Sequence, residues 1–228
     1  MTTQMTLTAA DGHALSAYRA AYRAETEAPS KMGLVVLQEI FGVNSHIRSV
    51  ADRFAADGFT ALAPALFDRV RPGIEMGYGP EDIERGRETR AQVSLDQALA
   101  DTQAAIAALN EEGLKVGVVG YCGGGSLAWG AATRLAGVAC AVGYYGGQIP
   151  DMADEEPRCP VMLHFGEEDQ SIPMDKVAVV RAKHPDLPLF TYPGAGHGFS
   201  CDARGAYHAE SAATARERTL EFLRQHLG

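Results

Sequence analysis

Positive charge is in short supply in this chain. Against 29 Asp and Glu it has 20 Lys and Arg, a formal net charge of -9 over 228 residues. A surface of that sign does not neutralise phosphates, which excludes a general nucleic-acid binder but leaves room for a local basic pocket. Long apolar runs are missing too: no segment approaches the length of a membrane span, so no membrane partner is expected. The opening Met1-Thr-Thr-Gln-Met-Thr-Leu-Thr8 has neither the charged start nor the apolar centre of a secretion signal, and the expected location is the cytoplasm. Cysteine is scarce. The four residues at 122, 140, 159 and 201 show no Cys-x-x-Cys pairing and no matching histidine spacing, so neither a disulfide framework, a metal nor a cofactor is expected. Cys140 and Cys159 read as small apolar core residues. Repeats and low-complexity tracts are also absent.

What the chain does have is 46% hydrophobic residues, enough at this length for one substantial core, and 1–228 is expected to be a single domain. Met5 to Ala9 and Ala14 to Ala20, around the turn dipeptide Asp11-Gly12, read as an antiparallel hairpin. From Gly33 onward, buried-strand runs alternate with helical periodicity. Strands are expected at 33–38, 59–63, 115–121, 138–144, 160–165 and 188–192, with helices from Asn44 or Ser45 to about Asp57, over 81–109 in one or two pieces, to about Leu135, over 174–183 and from about Gly205 to His226. Repeated βα units joined by right-handed crossovers imply a mainly parallel sheet with helices on both faces.

The stretch Lys115-Val-Gly-Val-Val-Gly-Tyr-Cys-Gly-Gly-Gly-Ser126 organises this pattern. A β-branched strand ends in glycines around a single thiol and runs straight into a helix, as in a nucleophile elbow with Cys122 at the nucleophile position. The helix N-terminus then faces the sulfur, favouring a thiolate and receiving an oxyanion. Two blander readings stay open on this stretch alone: a glycine-rich phosphate loop, although the P-loop lysine and the Gly-x-Gly-x-x-Gly spacing are missing, and a buried structural cysteine.

A nucleophile needs a base, and the base an orienting acid. Asp169, in an acidic loop after one strand, and His197, between glycines after the next, follow Cys122 in the nucleophile, acid, histidine order of α/β hydrolases. Glu167 and Glu168 compete with Asp169, which is preferred for the chain reversal at Ile172-Pro173 behind it. Of the other histidines, His13, His184, His208 and His226 read as exposed, His46 as helical near Glu39, and His164 as core.

With these residues in view, the chain resembles the dienelactone hydrolase (carboxymethylenebutenolidase) family of α/β hydrolases. The likeness rests on Gln38-Glu39-Ile40-Phe41-Gly42-Val43-Asn44, Gly120-Tyr121-Cys122-x-Gly124-Gly125, Val142-Gly143-Tyr144-Tyr145-Gly146, Gly166-x-x-Asp169 and Ala195-Gly196-His197-x-Phe199. It implies the α/β-hydrolase fold, Cys122 as nucleophile, His197 as acid and base, Asp169 as its orienter, and Glu39 as a partner of the resting thiol. It further implies an oxyanion hole from the N–H groups of Ile40 and Gly123. The substrate would be a small lactone or enol ester, opened through an acyl-enzyme thioester. Thiolate is itself a good leaving group, so the departing oxygen must leave at least as easily, which favours activated esters and enol lactones over amides.

The pocket departs from the family pattern. The family binds a substrate carboxylate through an arginine before the long helix, here Arg85 or Arg87, and another just after the catalytic histidine. At that second place stands Cys201, with Arg204 a little further on. Tyr144 is a further candidate for substrate contact. Two other readings keep the scaffold: a broader carboxylesterase on the same triad, and a redox-sensing thiol at Cys122 with Cys201 as resolving partner.

Overall fold

In the computed structural model, which describes residues 2–21 and 31–228, eight strands form one sheet in the order β1-β2-β4-β3-β5-β6-β7-β8. β1 (Thr2–Thr8) and β2 (Ala14–Ala21) form the antiparallel hairpin, which joins β4 (Thr60–Pro64) antiparallel. β3 (Met32–Leu37), β5 (Lys115–Tyr121), β6 (Val138–Tyr144), β7 (Val161–Gly166) and β8 (Leu189–Tyr192) complete a parallel array with β4. Nearly every position of β3 to β7 is buried, because helices cover both faces of a parallel sheet and leave no side for polar alternation.

The chain leaves β3 toward β4 on one side and returns to β5 on the other. Loops after β3 and β5 therefore part at the carboxyl edge and open the crevice where such sheets bind ligands. α1 (Ser45–Ala56) packs against β2 and β4, and α6 (Ala209–Leu227) against β5 to β7. α3 (Leu95–Glu111) and α4 (Gly123–Arg134) pack together across β3, β5 and β6. α2 (Pro80–Ala91) and α5 (Met174–Lys183) complete the helices.

Asn44 caps α1 by accepting from the Ile47 N–H, and its Nδ2 donates to the Met76 carbonyl. The loop after β3 is thus tied to the loop before α2. The expected helix over 81–109 is two helices, since Ser94 and Gln97 form a capping box that starts α3 afresh. The last helix begins at Ala209, not near Gly205. The residues before it form successive turns, with the Cys201, Arg204 and Tyr207 N–H groups bonded to the carbonyls of Gly198, Cys201 and Arg204, and His208 caps α6. Pro64 also differs from expectation: it lies within β4, opposite Ala17, at the end of the ladder where a missing N–H costs little.

A buried ion pair binds the hairpin to the rest. Arg69, in a single 3-10 turn at Leu66–Arg69, meets the fully buried Asp101 of α3 through two hydrogen bonds of 2.8 Å and Asp11 of the hairpin turn at 2.8 Å.

Candidate active site

At the end of β5, Cys122 adopts φ 54 and ψ -116, a conformation that side chains other than glycine rarely take, and α4 begins at the next residue. Its N–H donates to the Tyr144 carbonyl and its carbonyl accepts from Ser126. A close approach of the backbone makes this turn: a Cβ on Gly124 would stand 2.4 Å from the Leu37 oxygen and 2.5 Å from that of Gln38. Without side chains there, the first turn of α4 presses against the end of β3 and brings the loop of Glu39 and Ile40 beside the sulfur.

Two further strand ends converge on it. His197 Nε2 lies 3.2 Å from Cys122 Sγ, and its Nδ1 lies 2.7 Å from Asp169 Oδ2. The other oxygen of Asp169 accepts from the N–H groups of Ser171 and Ile172, the turn that Ile172-Pro173 suggested. The carboxylate is buried while the imidazole keeps partial access to solvent. Burial alone would lower the pKa of His197. The hydrogen bonds to Asp169 and Cys122 and the charges of both override it and raise the value to about 10. Both contacts thus favour the protonated form of the imidazole. Tyr145, at φ 38, packs its ring 5.2 Å from that of His197 and shares a hydrogen bond with Ser200.

The oxyanion candidates lie where the backbone leaves donors open. Among the described residues neither the Ile40 nor the Gly123 N–H enters a loop or turn hydrogen bond, and Gly123 opens a helix, where N–H groups have no intrahelical acceptor. A Cβ on Gly123 would have Ile40 Cγ2 and Arg90 Nε as its neighbours, each at 3.9 Å, so these groups frame one small space.

Glu39 is buried, but its carboxylate does not bond the thiol. Oε2 accepts from Tyr78 at 3.1 Å and Oε1 from Arg204 at 3.2 Å, while the thiol is paired with His197. The Arg204 guanidinium also lies 5.6 Å and 5.8 Å from the ring centroids of Phe41 and Tyr78. Behind Glu39, His46 and Cys201 bring donor atoms within 4.8 Å of one another and of the carboxylate, the set among the described residues able to hold a metal. Burial lowers the pKa of His46 and, together with the charge of Glu39, pushes the Cys201 thiol up to about 11.

The expected substrate arginines need correction. Arg85 and Arg87 are exposed, and Arg85 pairs with Asp82. α2 turns its Gly86, Thr89 and Arg90 face inward: a Cβ on Gly86 would sit 2.4 Å from the Ile40 oxygen, and Arg90, one turn on, reaches the space over Gly123. Arg90 donates to the Val93 carbonyl at 2.7 Å and to Gln148 Oε1 at 3.3 Å. Burial lowers its pKa, while the nearby Cys122 charge works the other way. Tyr144 is likewise displaced. Its ring is buried in the core and its hydroxyl is taken by Thr219 at 2.6 Å, whereas Tyr145 faces the histidine.

The remaining residues sort by burial. His164 is fully buried, as expected, with its pKa pushed down to about 3 by burial and the charge of Arg218. His13, His184, His208 and His226 are half-buried, not exposed; His184 contacts the Ala153 carbonyl and the edge of Trp129. Cys140 is buried and Cys159 half-buried, and all four cysteines are free thiols.

Comparison with known proteins identifies the family. Residues 19–227 match the model of the Dienelactone hydrolase family. A Synechocystis protein named "Putative carboxymethylenebutenolidase" is 39% identical over 227 residues, covering 91% of this chain and 92% of its own length. The "Carboxymethylenebutenolidase" of Pseudomonas putida is 33% identical over 225 residues, covering 93% of this chain and 92% of its own. A Klebsiella pneumoniae crystal structure titled as a "Putative Dienelactone Hydrolase" superposes with a TM-score of 0.83 at 28% identity, covering 99% of each chain. No described helix is long and apolar enough to cross a membrane. On its sequence, its fold and the arrangement at the end of β5, the chain belongs to the dienelactone hydrolase family and is an α/β-hydrolase that acts on esters or lactones.

Proposed function

We propose that the chain opens a small lactone or activated enol ester by nucleophilic catalysis at Cys122. The observation that carries this reading is the continuous line from Asp169 through His197 to a thiol held at positive φ on a helix N-terminus. His197 takes the thiol proton, leaving a thiolate beside an imidazolium, and the raised pKa of His197 supports that pair. The thiolate adds to the substrate carbonyl carbon, and the new oxyanion receives the N–H groups of Ile40 and Gly123. As the carbon–oxygen bond breaks, the imidazolium gives its proton to the departing oxygen. Water then loses a proton to the neutral His197 and attacks the thioester, and the thiolate leaves with the acid product formed.

Arg90 is the anchor proposed for a substrate carboxylate, because its half-buried guanidinium borders the oxyanion space. Glu39 acts in this reading through Arg204, whose guanidinium it holds at the pocket wall. The chain 1–228 works as one catalytic domain on a small molecule, and the acidic balance argues against a nucleic-acid partner. Four free thiols support a cytoplasmic location, since thiols persist in reducing compartments.

The test is turnover of a dienelactone and of a neutral aryl ester by wild type and Cys122→Ala at neutral pH. Loss of both activities in the variant is expected, with the dienelactone the better wild-type substrate. Cleavage of the aryl ester alone favours the broader carboxylesterase, and a fully active Cys122→Ala overturns the mechanism.

A further inference from the structure

Three donors of different chemistry meet in the wall behind the catalytic pair, and the proposed hydrolysis uses only the carboxylate. Glu39 comes from the loop after β3, His46 from the first turn of α1 and Cys201 from the turns after β8. All three are buried, and one ligand atom from each lies within 4.8 Å of the others. No sequence spacing announces such a set, because its members stand 7 and 155 positions apart on separate elements.

We propose that Glu39, His46 and Cys201 form a binding site for a thiophilic divalent cation of the zinc class, distinct from the Cys122–His197 pair. The donor set selects the ion. One imidazole nitrogen, one carboxylate oxygen and one sulfur suit a borderline-soft metal with a preference for four ligands, whereas calcium and magnesium take oxygen alone. Metal–ligand bonds of about 2.0–2.3 Å put tetrahedral ligands roughly 3.3–3.8 Å apart, so rotations that move the side-chain tips by about an ångström close the site.

Outer contacts already orient the donors. Asp202 Oδ1 lies 3.0 Å from His46 Nδ1 and is itself fixed by Arg53 at 2.7 Å through Oδ2, which leaves Nε2 as the coordinating nitrogen. Arg204 holds Oε1 of Glu39, so the metal takes Oε2 and displaces the hydrogen bond from Tyr78. The charges also close: carboxylate and thiolate cancel those of the ion, and the Cys201 proton passes to solvent.

Cobalt(II) is the probe, added to Cys122→Ala so that the catalytic thiol takes no part. The expected result is one equivalent bound, one proton released, a sulfur-to-cobalt charge-transfer band in the near ultraviolet and the intense visible bands of four-coordinate cobalt. Replacing Cys201 by Ser in that background abolishes the charge-transfer band and weakens binding at least tenfold, and His46→Gln in the same background weakens binding similarly. Absence of the band from Cys122→Ala, or its survival after Cys201→Ser, overturns the proposal. Should either second substitution unfold the protein, the nitrogen resonances of the His46 ring in Cys122→Ala decide the matter without it. Zinc must shift Nε2, and an unshifted ring rules the site out. Failure of these binding tests leaves the turnover result with Cys122 untouched, so the two readings stand or fall separately.

Discussion

Cys122 is held in a backbone conformation that costs on the order of 1–3 kcal/mol, and what offsets it is the set of contacts that fix the sulfur against His197. Removing the imidazole by His197→Ala should lower kcat/KM by about 10³-fold or more, while Asp169→Asn, which keeps the shape but loses the charge that holds the ring, should cost somewhat less; steady-state kinetics on an aryl ester check both. The pH dependence has a definite sign. The folded pKa of His197, about 10, lies above the ordinary value near 6.5. Its pairing therefore stabilises the fold fully below about pH 6.5, and that contribution fades as pH rises through about 10. Melting curves across this range should show the loss in wild type and a flatter profile in His197→Ala. At the pocket, Arg90→Ala should raise KM for a carboxylate-bearing lactone about 10- to 100-fold and leave a neutral ester nearly unchanged, whereas Arg85→Ala should change neither. The triad order was legible from glycines and strand ends alone. Which arginine faces inward was not, because the face of α2 is set by the contact of Gly86 with Ile40, a tertiary approach that leaves no periodic apolar mark in so polar a helix.

Among the elements, α2 carries the least visible duty. Its Gly86 lets the helix touch the Ile40 carbonyl, so Gly86→Ala forces the loop outward and moves an amide that should face the oxyanion. We expect kcat to fall about tenfold or more with KM changed less, since the lost contact belongs to the transition state; kinetics beside a melting curve separate this from simple unfolding. The parallel strands were readable as short apolar runs, β-branched at β5, and the break between α2 and α3 is set by a capping box that the sequence spells as Ser94-x-x-Gln97. The start of α6 was misplaced for a physical reason. Residues 205–208 carry no apolar face of their own, and the turns ending in the His208 cap take the backbone bonds that a longer helix would use. Tyr144 and Tyr145 show the same limit at the end of β6. Tyr144 is the last residue of the ladders with β5 and β7, and the positive φ of Tyr145 just beyond it sends that ring toward the histidine, a turn that strand periodicity does not announce.

For the molecule as a whole, the sheet does two separate things: its centre carries the nucleophile, and its antiparallel edge is fastened by Arg69 to α3 and to the hairpin turn. Asp101→Ala leaves that largely buried arginine paired with Asp11 alone and should cost about 1.5–3 kcal/mol, seen as a fall in Tm with the kinetics of the surviving folded protein unaltered. The central claim is that the acyl group passes through the Cys122 sulfur, and it is tested most directly by stopping turnover of an activated ester in acid within the first cycle and locating the added mass by peptide mapping. The account predicts an acyl thioester on the peptide containing Cys122, absent from Cys122→Ala and longer-lived in His197→Ala. An acyl group on any other residue, or turnover with no acylated enzyme even when deacylation is slowed, would contradict it.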